Sequence, residues 1–140
     1  MSDMWTVFDY ERDMAIKLSQ LLITPEFETL PGEFQNAIVE SLVIHTRVVT
    51  EIILSEGTRP DDITLKKLLP HFSSENLAKL RAAYDDDSSG ISPRWQFNKL
   101  LAHATTLRIE SHEYGPAINR MWTHLSKLIV EIEVARREEL

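Results

Sequence analysis

The stretch Glu33-Phe34-Gln35-Asn36-Ala37-Ile38-Val39-Glu40-Ser41-Leu42-Val43-Ile44-His45-Thr46-Arg47-Val48-Val49-Thr50-Glu51-Ile52-Ile53-Leu54-Ser55 decides the fold. At about 100° per residue, Phe34, Ile38, Leu42, His45, Val49 and Ile52 fall on one stripe of a helix, while Val39, Val43 and Leu54 fall on the opposite side. A helix apolar on two sides belongs at the centre of a bundle or in an oligomer interface. Its many β-branched residues disfavour an isolated helix, so tertiary packing must hold it.

The flanking sequence supplies the packing partners. Upstream, residues 4–23 read as a helix carrying Trp5, Phe8, Met14, Ile16, Leu18, Leu21 and Leu22, followed by a connection that Pro25 and Pro31 should keep extended. Downstream, Gly57-Thr58-Arg59-Pro60 reads as a turn, and Asp61 or Asp62 as the N-cap of a short helix ending at Leu69, before Pro70. Ser73 or Ser74 caps another short helix to Tyr84, with Leu77, Leu80 and Tyr84 on one face. Ser92-Pro93 opens a helix to about Leu107, since proline at the first helical position forfeits no hydrogen bond. A final helix from Pro116 carries the stripe Ile118, Met121, Trp122, Leu125, Leu128, Ile129 and Ile132. No segment alternates with period two. The expectation is one all-α domain over residues 1–140, a bundle of four main and two short helices.

Composition bounds the chemistry. The 140 residues carry 15 Lys and Arg against 22 Asp and Glu, a net charge of −7, which disfavours general nucleic-acid binding because that needs clustered cations. The absence of cysteine excludes disulfides, thiolate metal sites and a cysteine nucleophile. No basic region precedes an apolar run at the N-terminus, and charge interrupts every long apolar stretch, so a cytoplasmic, non-membrane protein is expected. Phosphate-binding, dinucleotide and serine-hydrolase motifs are missing.

Asp85, Asp87, Ser89 and Gly90 match the first half of a calcium loop, but Gln96 stands where the bidentate carboxylate belongs and Pro93 already begins a helix. An acidic surface loop is the better reading. The five histidines lack zinc-ligand spacing, so neither a metal nor a cofactor is expected. His45 should point inward as a hydrogen-bonded core histidine, and Arg47 should pair with Glu51 one turn on.

The stretch Asn98-Lys99-Leu100-Leu101-Ala102-His103-Ala104-Thr105-Thr106-Leu107-Arg108 resembles the N-K-x-x-A-H-x-T-x-x-R helix of uncharacterised HEPN-like proteins, the higher eukaryotes and prokaryotes nucleotide-binding group. His45-Thr46-Arg47 resembles an upstream H-x-R element of that group, Asp61-Asp62 its acidic pair, and Trp122 a tryptophan in its last helix. The resemblance implies a helical bundle, often dimeric. Catalytic members are metal-independent ribonucleases with an R-x4–6-H motif, in which the Arg holds the scissile phosphate and the His serves 2′-hydroxyl chemistry. Here Asn98 and Lys99 occupy the places before His103 where that Arg would stand, and Arg94 is nine residues away. Lysine supplies charge without the planar bidentate fork.

The expectation is therefore a non-catalytic, homodimeric module binding a protein partner or a small anionic ligand. Its polar cluster would comprise His45, Arg47, Asp61, Asp62, Lys99, His103 and Arg108, gathered between the second and fifth helices. The alternative is a divergent ribonuclease of toxin or phage-defence type, with His103 as acid/base and Lys99 as phosphate clamp, assisted by Arg108 or Asn98. RNA remains a candidate partner only through the local basic segment 94–108, which carries three basic residues and no acid.

Overall fold

The computed structural model describes residues 2–57, 59–88, 90–102 and 115–139. These hold seven helices and no strand: α1 (Ser2–Leu22), α2 (Pro25–Thr29), α3 (Gly32–Leu54), α4 (Leu65–Leu68), α5 (Glu75–Tyr84), α6 (Pro93–Ala102) and α7 (Gly115–Glu138). None is long and apolar enough to cross a membrane.

Helix α3 is the axis. It packs against α1, α4, α5, α6 and α7. Its buried residues are Leu42, Val43, Thr46, Val49, Thr50, Ile52, Ile53 and Leu54. Thr46, Thr50 and Ile53 project between the two stripes seen in the sequence, so the apolar surface is one continuous arc of roughly 200° rather than two opposite faces. Phe34 is not part of it and stands 57% exposed.

Two threonines sit in that arc because their hydroxyls have partners. Thr50 Oγ1 donates to the Thr46 carbonyl at 2.8 Å, and Thr46 Oγ1 accepts from Trp122 Nε1 at 3.1 Å. Leaving either group unpaired in the core would cost about 1–3 kcal/mol. The second bond also ties α3 to α7, whose Met121, Leu125, Leu128 and Ile132 are fully buried.

Helix α1 pairs with α3 in antiparallel fashion, Glu11 meeting His45 and Val7 lying beside Val48 and Ile52. Phe8 and Ala15 are its buried anchors. A charged network joins α1 to α7: Arg12 reaches Glu133 at 2.6 Å, and Arg136 grips Asp9 at 2.8 and 3.2 Å while lying 4.2 Å over the Trp5 ring.

Three expected local features are revised. The segment between Pro25 and Pro31 is not extended, since Pro25 starts the helical turn of α2. Gln35 Nε2 then donates to the carbonyls of Phe27 and Leu30 at the end of that turn. The short helix before Leu69 is capped by Thr64, whose hydroxyl accepts from Lys67 N–H, and not by Asp61 or Asp62. Among the described residues the helix count becomes seven. Ser74 and Ser92 do cap α5 and α6, accepting from the N–H groups of Asn76 and Trp95 at 3.1 Å each. The expected extension of α6 to Leu107 lies outside the described residues beyond Ala102.

Leu42 is fully buried on the axis. Leu42→Ala should lower the unfolding free energy by about 2–5 kcal/mol, measured by urea denaturation. Phe34→Ala should cost far less; equal losses would contradict the placement of the core.

Candidate functional site

The turn after α3 builds a cleft. Ser55 closes the helix with its N–H on the Glu51 carbonyl at 2.8 Å, and Gly57 follows with φ +70. That conformation favours glycine, and a Cβ there would come within 3.0 Å of the Thr64 side chain. The chain thereby reverses and lays residues 61–63 back along α3. Asp62 secures the reversal by accepting from Arg59 N–H at 3.1 Å, and Lys67 Nζ donates to the Arg59 carbonyl at 2.9 Å.

The result is an open cleft of about 500 Å³. Val7, Val48, Ile52 and Ile63 give it an apolar lining, and Arg47, Glu51, Ser55, Asp61 and Asp62 its polar groups. Three members of the expected cluster, Arg47, Asp61 and Asp62, thus share one cavity.

The expected Arg47–Glu51 pair does not form. Glu51, whose side chain is 40% exposed, instead accepts from Tyr84 O–H at 3.0 Å and lies 3.9 Å from Arg94. Arg94 also binds Asp85 at 2.6 Å and stacks 4.6 Å over the Tyr84 ring. Arg94 and the tyrosine hydroxyl thereby outcompete the helical neighbour for Glu51. Arg47 consequently makes no ion pair among the described residues, and its half-buried guanidinium faces the cleft.

His45 lies elsewhere. Its Nδ1 is hydrogen-bonded to the Glu11 carboxylate, and Tyr10 meets its ring edge-on at 5.9 Å between centroids. It therefore fastens α1 to α3 and does not line the cleft. The inward-pointing, hydrogen-bonded histidine of the sequence reading is found, but it does not join the expected cluster. Lys99 lies within α6, whereas His103 and Arg108 lie outside the described residues. Asn98 is half-buried with its Oδ1 unpartnered among the described residues. Trp122, the expected last-helix tryptophan, binds Thr46, the middle residue of His45-Thr46-Arg47.

The acidic loop is used in ion pairs. Asp85 takes Arg94, while Asp86 accepts from Ser88 N–H at 3.0 Å and lies 3.5 Å from Arg120. These contacts hold the Asp86 carboxyl below its ordinary range, the Ser88 hydrogen bonds contributing most. Among the described residues, no group of three His, Asp or Glu side chains could hold a metal ion.

Comparison with known protein families, curated proteins and solved structures finds no match for this chain.

Burial, and then the negative charge of Glu51, push the Tyr84 phenol well above its ordinary value of 10.0. The unfolded chain releases this proton near pH 10 while the folded chain keeps it, so stability should fall as pH rises above about 10. Urea unfolding between pH 9 and 11 should show this slope, and Tyr84→Phe should flatten it. An unchanged slope in the variant would place the pH response elsewhere.

Proposed function

We propose that the chain is a non-catalytic, HEPN-like helical module that acts as a homodimer. Its Arg47 cleft takes the anionic head of a small amphipathic ligand. The observation that carries this reading is a guanidinium without an ion pair among the described residues, set beside an apolar lining. A planar guanidinium offers a fork of donors matched to a carboxylate or phosphate. Val7, Val48, Ile52 and Ile63 supply contact for an apolar body.

The neighbouring carboxylates do not cancel the site. Glu51 is already paired with Tyr84 and Arg94, and Asp62 is engaged by the Arg59 amide. Asp61 remains exposed at the edge of the cleft, available to a donor on the ligand.

Octanoate is a suitable probe, having one carboxylate and a short apolar tail. Titrated into isotope-labelled protein, it should shift the methyl resonances of Val7, Val48, Ile52 and Ile63. Arg47→Gln should weaken it by about tenfold or more, the worth of a charge-assisted hydrogen bond. Equal affinity in the variant would overturn the anionic-head reading. Sedimentation should give twice the chain mass; a monomer at every concentration would remove the dimer.

A further inference from the structure

A second groove, of about 630 Å³, opens between the segment preceding α5 and the last turns of α7. Its apolar surface is Phe72 together with Val130 and Val134, which lie one turn apart on α7 and stand 63% and 47% exposed. Single exposed valines are ordinary, but a pair lining a concavity beside a partly buried phenylalanine marks a contact surface.

Its charge is one-sided. Glu75, Glu131 and Glu138 line it, and no lysine or arginine does. Of the cations near it, Lys79 lies 3.8 Å from Glu75 on the exposed face of α5, Arg136 is held by Asp9, and Lys127 and Arg137 lie outside the lining. Glu131 is fixed in place, accepting from the Ser74 hydroxyl at 2.5 Å and Asn76 Nδ2 at 2.8 Å. Ser74 at the same time caps α5. The groove is therefore set by the fold before any partner arrives, which limits the ordering cost of binding.

We propose that this groove docks an amphipathic helix rich in lysine or arginine from a partner protein. The apolar stripe of that helix would lie on Phe72, Val130 and Val134, and its flanking cations would meet Glu75, Glu131 and Glu138. Charge complementarity selects this occupant. A second copy of the chain fits less well: a two-fold contact through this face would set one acidic lining against another, on a chain of net charge −7. The site is separate from the Arg47 cleft and shares no lining residue with it.

The test uses the full chain and a fluorescein-labelled 18-residue helical peptide with leucines on one face and lysines on the other, followed by anisotropy. The lysine peptide should bind, and its counterpart with glutamate in place of lysine should not. Val130→Ser combined with Val134→Ser should weaken binding by about tenfold, and Glu75→Gln combined with Glu138→Gln by a similar factor. All four positions are exposed, so circular dichroism should show an unchanged fold. The proposal is overturned if the lysine peptide does not bind, or if both double variants bind it like the parent, as diffuse attraction to an acidic chain would give. It is also overturned if the valine variant turns a dimer into a monomer, which would make the groove a self-interface.

Discussion

One helix must be dry over more than half its circumference and still remain a helix. That constraint on α3 organises the molecule. Five other helices pack on it, and the gap between its two apolar stripes is closed by Thr46 and Thr50. Threonine can occupy that gap only because each hydroxyl is paired, one to a carbonyl of the same helix and one to Trp122. Burial and hydrogen bonding therefore act at the same residues.

The cleft follows from the same arrangement. With most of α3 committed to the core, the strip bearing Arg47, Val48 and Glu51 lies between the reversal after Gly57 and Val7 of α1. Buried Tyr84 and half-exposed Arg94 engage Glu51. Arg47 makes no ion pair among the described residues and shares its cleft with Val7, Val48, Ile52 and Ile63 and with the carboxylates of Glu51, Asp61 and Asp62. The second groove differs in kind: Glu75 and Glu138 on its rim are exposed, and Glu131 is braced by the cap of α5.

Periodicity showed which faces are apolar, and the long helices were legible from it. The stripe of α7 lies buried or half-buried, as do Leu80 and Tyr84 on α5. Periodicity does not show which partner covers a face, so Glu11 for His45, Trp122 for Thr46 and Tyr84 for Glu51 were not legible. Local preference misled at two points. A pair of prolines suggested extended chain, although Pro25 at the first helical position starts a turn. Two aspartates suggested a cap, although Thr64 lies at the actual helix start. The resemblance to HEPN-like proteins points to Arg47, Asp61 and Asp62, and the turn at Gly57 brings them to one cleft. His45 could not join them, because two residues of helix turn it towards α1.

Helix α3 is the axis to which the other helices and the cleft are attached. Native-state hydrogen exchange measures this directly. The amides of Val43 to Ile53 should exchange only by global opening, with a free energy equal to that from denaturant unfolding and no smaller than in any other helix. Exchange of those amides through a local opening, at a lower free energy than those of α1 or α7, would contradict it.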